Sequence, residues 1–316
     1  MPDNTSIAFL GTAAFAVPSL KIILDNNLNL VGVLTRPDRP AGRGRKVAVS
    51  PVKEMALEYG QKVYQPESKI DLENELLHIR PQLIVSVAYG MFLPTPVLAI
   101  PPLGAVNLHP SLLPAYRGPA PIQRALMAGE ETTGVSIFFM TPQMDAGDLI
   151  LQQSAGIDPL DSFGTLSHRL APMGAQSLLE AIKLIISGEA PRIPQDDAQA
   201  SYAPLITGDD EIIDWSRDDF SLVNQIRALE PAPGAYTNYR GKRLKIWRSV
   251  SETQAVQYGE LSTHPGTICS VGKDYFLVST AKNFLKVLEL QPEGKKRMIT
   301  GDFIKGYMPQ AGERLA

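Results

Sequence analysis

The segment Gly104–Gly118 reads GAVNLHPSLLPAYRG and sets an amide, Asn107, two residues before an imidazole, His109. In an extended chain residues two apart share a face, so Asn107 and His109 point one way and Val106 and Leu108 the other. Pro110 cannot donate into a central ladder, which predicts the end of a strand there. Two neighbouring polar side chains are a costly filling for a core, so the pair reads as a site at the carboxyl end of a strand. A second piece, TPQMDAGD over Thr141–Asp148, follows the apolar run Val135–Met140. Ala146-Gly147 marks a turn, which places Asp145 on a loop expected at the same end of the sheet. Asp148 competes with Asp145, and pattern does not choose between them. An amide, an imidazole and a carboxylate suit the addition of an amine to a carbonyl. Asn107 and His109 can donate to the tetrahedral oxyanion. The carboxylate can take the amine's proton or hold the imidazole in the required charge state. No serine, cysteine or lysine nucleophile stands out, and no metal-ligand spacing does. Direct transfer without a covalent enzyme intermediate is therefore the simpler chemistry.

These residues need a frame. Ile7–Leu10, Leu30–Thr35, Leu83–Ala88, Ala105–His109 and Val135–Met140 are rich in apolar and β-branched residues, as strands buried on both faces are. Amphipathic stretches alternate with them at Ala14–Asp25, Val52–Tyr59, Leu72–Ile79 and Ile122–Ala128, a pattern that predicts a parallel sheet covered by helices. A longer helix is expected near Phe163–Ser187, kinked at Pro172 and capped by Gly188. Gly188–Pro204 gains Pro, Asp and Gln and reads as a linker. Ser216 and Asp219 resemble a capping box, followed by a helical face of Phe220, Val223, Ile226 and Leu229. Beyond it, Tyr236–Tyr239, Leu244–Val250, Thr267–Ser270, Tyr275–Ser279 and Phe284–Leu290 predict a small antiparallel barrel. The division expected is 1–188, a linker over 189–208, and a second domain over 209–316. Gly11-Thr12-Ala13-Ala14-Phe15 follows the first strand but lacks the remaining glycines of a dinucleotide fingerprint and the lysine of a P-loop. It supports neither NAD nor ATP.

At 316 residues with 44% hydrophobic and 20% charged residues, the chain is of ordinary globular composition. Its one cysteine, Cys269, excludes an internal disulfide framework and a multi-cysteine zinc site. The apolar start Ile7–Leu10 is stopped by Gly11, which fits neither a signal peptide nor a membrane span, and a cytoplasmic setting is expected. The net charge of -3 hides an asymmetry: from Gln225 onward there are 14 Lys and Arg against 8 Asp and Glu. A second basic group, Arg36, Arg39, Arg43, Arg45 and Lys46, has only Asp38 within it. Two local basic surfaces can bind a polyanion without the whole chain being basic.

The string NLHPSLLP, followed by AYRGPAPIQRAL and later by MDAGD, resembles the signature of the folate-dependent formyltransferases. The resemblance implies that Asn107, His109 and Asp145 are the catalytic residues and that Ser111, Leu112, Leu113 and Pro114 bind the folate. It favours Asp145 over Asp148 by analogy. FLGTAAF over Phe9–Phe15, TRPDRPAGRGRKVAVSPVK over Thr35–Lys53 and the C-terminal stretch to QPEGKK resemble those family members whose acceptor is methionyl-tRNA. What this implies is a Rossmann-like catalytic domain with a C-terminal barrel of OB-fold type that binds tRNA. The co-substrates implied are 10-formyltetrahydrofolate and methionyl-initiator tRNA, used in translation initiation, with no metal and no nicotinamide. The basic loop around Arg43 would reach the acceptor stem. The chain is expected to work as a monomer away from membranes. Formylation of an amino-sugar nucleotide, hydrolysis of formylfolate, and a non-catalytic tRNA-binding role are the competing readings.

Overall fold

The computed structural model describes residues 4–41, 46–253 and 264–316. They form two compact units, one made of the described residues of Met1–Pro121, Thr132–Gly156 and Ser167–Ala203, the other of Ile122–Glu131, Ile157–Leu166 and Pro204–Ala316.

The chain begins with β1 (Ile7–Gly11), α1 (Val17–Asp25), β2 (Leu30–Leu34) and an antiparallel pair, β3 (Arg39–Ala41) with β4 (Lys46–Ala48). There follow α2 (Pro51–Glu58), β5 (Val63–Tyr64), α3 (Lys69–Ile79), β6 (Leu83–Val87), α4 (Thr95–Leu98) and β7 (Ala105–His109). Then come α5 (Pro121–Ala128), β8 (Thr132–Phe139), β9 (Leu149–Gly156) and α6 (Phe163–Ser187). Seven strands make the first unit's sheet, in the order β5-β2-β1-β6-β7-β8-β9. β1 and β6 are buried along their whole length, because helical crossovers cover both faces of parallel strands. Side chains start the helices cleanly: Ser50 caps the N-terminus of α2 by accepting from Lys53 N, and Ser68 with Asp71 forms a capping box on α3.

One expectation fails in a way that matters for the site. β5, β2, β1, β6 and β7 are parallel, but β8 pairs with β7, and β9 with β8, in the antiparallel sense. Phe139, the last residue of β8, therefore lies opposite Val106 near the start of β7, while Ser136 lies opposite His109. Apolar content alone does not tell strand direction, and β9 itself, with its exposed Gln and Ser residues, carries little strand signal.

The second unit contains α7 (Gly208–Glu211), α8 (Asp219–Ala228), β10 (Tyr236–Tyr239), β11 (Lys242–Glu252), β12 (Ile268–Val271), β13 (Phe276–Ser279), β14 (Phe284–Pro292), β15 (Met298–Ile299) and α9 (Thr300–Tyr307). Its strands form a curled antiparallel, OB-like sheet in the order β10-β11-β14-β13-β12, with β15 added to β14. Leu244 and Ile246 on β11 point into a core shared with Leu222, Ile226 and Phe303. A register shift between Ile246 and Arg248 then resets the alternation of β11, as a bulge does. The box expected from Ser216 and Asp219 is not formed. Asp218 caps α8 by accepting from Ser221 N, and Ser216 instead donates to Asp214.

Candidate active site

Asn107 and His109 lie on one face of β7. The other face carries Val106 and Leu108, 0% and 2% exposed. Leu108 is met by α6 at Gly174, where an added Cβ would come within 2.7 Å of the leucine side chain. That close backbone approach locks the apolar face and so fixes the direction of the polar one. Asn107 is half-buried, and among the described residues its side-chain amide has no hydrogen-bond partner. His109 is 5% exposed. Its Nε2 lies 2.9 Å from the Tyr116 carbonyl oxygen, which can only accept, so Nε2 carries a proton. Its Nδ1 faces Asp145 Oδ2 at 3.6 Å. Burial pushes the imidazole pKa below its usual value, against the opposing pull of the Asp145 charge and the Tyr116 carbonyl. The resting ring is thus neutral near pH 7, with the proton on Nε2 and a lone pair on Nδ1.

Asp145 reaches His109 by a route different from the one the strand pattern predicts. The loop Thr141–Asp148 leaves β8 beside the start of β7 and must turn back toward His109. Asp145 takes a left-handed conformation, φ +50°. Gly147 passes so close to Phe139 that a Cβ there would lie 1.7 Å from the Phe139 carbonyl oxygen. Gly118 N donates to Asp145 Oδ2 at 2.7 Å. Asp148 turns elsewhere, 3.7 Å from Arg192. Geometry thus brings Asp145, and not Asp148, to the imidazole.

The segment Ser111–Pro114 is held by groups whose part in the site the sequence reading passed over. Ser136 Oγ on β8 donates to Ser111 O at 2.6 Å and accepts from Leu113 N at 3.0 Å. Gln152 on β9 donates to Leu113 O and to Ser136 Oγ at 2.8 and 2.9 Å. Ser111 Oγ closes the turn on Ala115 O at 2.7 Å, and the Leu113–Pro114 peptide is cis. Leu113 is buried against Phe138 and Leu149, whereas Leu112 and Pro114 remain half-buried. Two further residues were missed. Gln195 donates to both Asp145 O and Gly147 O at 2.8 Å, and accepts from the Arg117 guanidinium at 2.9 and 3.2 Å. An arginine next to a glycine in a loop and a glutamine in an irregular stretch carry no periodic signal.

Of the five basic residues, Arg36 follows β2; its N–H donates to Thr12 Oγ1 and its carbonyl accepts from Gln65. Asp38 pairs with Lys53 at 2.5 Å, which lowers the carboxyl pKa. Arg39 and Lys46 lie in β3 and β4. Arg43 and Arg45 lie outside the described residues. In the second unit a cavity of about 320 Å³ is lined by Tyr239, Arg240, Lys242, Arg243, Lys295 and Tyr307. Arg240 there is held by Glu313 at 2.6 Å, and Arg243 lies over the Tyr236 ring at 3.9 Å. Among the described residues there is no cluster of metal-ligating side chains and no helix long and apolar enough to cross a membrane.

An Asn, a buried His and a carboxylate around the end of β7, on a sheet of this topology, define a class. Residues 5–182 match the formyl transferase family and residues 205–308 match the formyl transferase C-terminal domain, and the chain belongs to that family. Within it, the chain is 45% identical over 310 residues to the methionyl-tRNA formyltransferase of Carboxydothermus hydrogenoformans, covering 97% of this chain and 98% of that one. Among solved structures, it superposes with a TM-score of 0.68 on an N-formyltransferase from Helicobacter canadensis in complex with folinic acid and dTDP-3-aminofucose, at 20% identity over 90% of this chain and 98% of that one. HypX from Aquifex aeolicus in complex with tetrahydrofolic acid gives a TM-score of 0.65 at 16% identity. That match covers 98% of this chain, which spans about half of HypX, 48% of its length. These two likenesses are of fold.

Proposed function

We propose that this chain transfers the formyl group of 10-formyltetrahydrofolate to the α-amino group of methionyl-initiator tRNA, as a cytoplasmic monomer serving translation initiation. The observation that carries the reaction class is the meeting of Asn107, His109 and Asp145, with His109 Nδ1 3.6 Å from the Asp145 carboxylate. The relative that shares 45% of its residues across nearly both whole chains favours this acceptor.

The folate supplies an activated formyl carbonyl. The site fits such a donor, because the Asn107 amide keeps its N–H free among the described residues and stands beside an imidazole that can change charge. Asn107 donates to the formyl oxygen as negative charge builds on it. His109 Nδ1 takes the proton lost by the attacking amine once the new C–N bond forms. Asp145 stabilises the imidazolium so created, and His109 returns the proton to the departing folate nitrogen as the old C–N bond breaks. Ser111–Pro114, pinned by Ser136 and Gln152, lines the folate side. Arg36, Arg39, Arg43, Arg45 and Lys46, with the basic cavity of the second unit, hold the phosphate backbone of the tRNA.

The test is to offer the purified chain 10-formyltetrahydrofolate with methionyl-initiator tRNA, with a dTDP-amino sugar, or with water alone. Formyl-methionyl-tRNA is the expected product, at a rate that falls steeply with salt. Formyl sugar or free formate as the main product would overturn the acceptor, and a rate indifferent to salt would overturn the basic surfaces.

A further inference from the structure

We propose that Gln195, oriented by the buried guanidinium of Arg117, is the positioning residue that sets Asp145 against His109. The inference rests on the catalytic reading of Asp145 and His109 given above.

Asp145 sits at φ +50°, a conformation that side-chain-bearing residues seldom adopt, inside a loop that has folded back along its own strand. Such a loop needs an outside hold. It finds one at Gln195 Nε2, whose two hydrogens go to Asp145 O and Gly147 O, both at 2.8 Å. The other end of the same amide, Oε1, accepts from Arg117 Nε at 3.2 Å and Nη2 at 2.9 Å. This fork settles which way round the amide lies. Flipped, it would set an oxygen against two carbonyls and an NH₂ against a guanidinium.

Arg117 is itself fixed. It is 4% exposed, its Nη2 also reaches Asp197 at 2.7 Å, and its backbone bonds Ser201 O at 2.8 Å and Ala203 N at 2.7 Å. Three successive residues therefore hold three parts of the site. The Tyr116 carbonyl takes His109 Nε2, the Arg117 side chain takes Gln195, and the Gly118 N–H takes the Asp145 carboxylate. Two of those contacts are direct. The middle one works through Gln195, whose side chain ties the backbone of the Asp145 turn to a distant part of the chain. Gln195 thus fixes the backbone from which Asp145 presents its carboxylate to Nδ1.

Gln195→Glu separates positioning from mere packing. It keeps the size of the side chain and strengthens the bond to Arg117, but loses both donors to the loop carbonyls. Gln195→Met loses all of them without adding charge. In the formyl-transfer assay both variants are expected to lower kcat about 10²-fold, the usual cost of a small misplacement of a reacting group, with KM for either substrate within about twofold. In Gln195→Met the His109 imidazole, followed by NMR of labelled histidine, is expected to titrate at lower pH, because Asp145 no longer supports its charge. The signal of exposed His78 serves as the internal comparison between parent and variant. Asp145→Asn is measured alongside. If it is inactive while Gln195→Glu keeps the parent kcat, the positioning role is wrong and the catalytic reading stands. If Asp145→Asn itself turns over like the parent, both fall. A kcat loss matched by lost folded protein, with the His109 titration unmoved, would make Gln195 structural only and overturn the proposal.

Discussion

Two largely buried carboxylates, one in each unit, differ in whether the group beside each can change its charge. Asp219 in the C-terminal unit is 3% exposed. It accepts from Ser251 Oγ and from Asn283 Nδ2, and it opens helix α8, where unpaired amides favour negative charge. Asp145 has a side chain 19% exposed, one backbone N–H from Gly118, and an imidazole standing 3.6 Å away, beyond hydrogen-bonding length. Neutral donors close on Asp219 from strand β11 and from the turn before β14, so it is a rivet in a small core. Asp145 faces a group whose charge can change, so its interaction strengthens when a proton arrives. Depth of burial does not separate the two. What separates them is whether the partner can titrate.

The sharpest way to break this contrast is to remove the titrating partner. His109→Ala is expected to lower kcat for formyl transfer roughly 10²–10⁴-fold, the range for an acid–base group, with the protein still folded. A turnover like that of the parent would mean that His109 only fills space, and the contrast with Asp219 would collapse.

How far this contrast was legible in sequence differs between its two halves. Asn107 and His109 were readable because a strand has a period of two and Pro110 ends it, so side-chain direction follows from spacing alone. Asp145 was not, since Asp148 fits the same turn and nothing in the string says that β8 runs antiparallel to β7. The loop was expected at the right place for the wrong reason: it does not start at the ligand edge but folds back to it. The β1, β2, β6 and β7 strands were legible because burial on both faces demands continuous apolar runs. β9 and α9 were not, one being half-exposed with Gln and Ser, the other carrying two glycines in eight residues. Gln195 and Arg117 escaped for a further reason: their meaning is a contact between residues 78 apart, which periodicity does not encode. Ser216 with Asp219 misled because Asp218 stands one residue nearer to the same helix start.

A smaller effect is expected from the rivet. Asp219→Ala leaves the Ser251 hydroxyl and the Asn283 amide without their acceptor, which costs about 1–3 kcal/mol for buried polar groups left unpaired. Urea unfolding should show that loss, while kcat at a permissive temperature stays at the parent value. A stability unchanged by the substitution would show that water replaces the carboxylate freely, and Asp219 would cease to be a structural counterpart to Asp145.

The smallest effect is a slope in pH. His109 is held below its usual pKa by burial, so the folded state binds fewer protons than the unfolded state just below the unfolded value of about 6.5. Protonation then favours unfolding. The stabilising contribution of the neutral imidazole is complete above that value and is lost as pH falls from it toward the lower folded pKa. One such group adds at most about 1.4 kcal/mol per pH unit to the fall. Unfolding free energies measured from about pH 7 down to 5 should therefore drop more steeply for the parent than for His109→Gln, which cannot titrate. Asp145→Asn should carry the loss to still lower pH, since the carboxylate supports the imidazolium and its removal depresses the folded pKa further. Parallel curves for parent and His109→Gln would mean that the ring binds its proton alike in the folded and unfolded states, and burial would then not be what keeps it neutral.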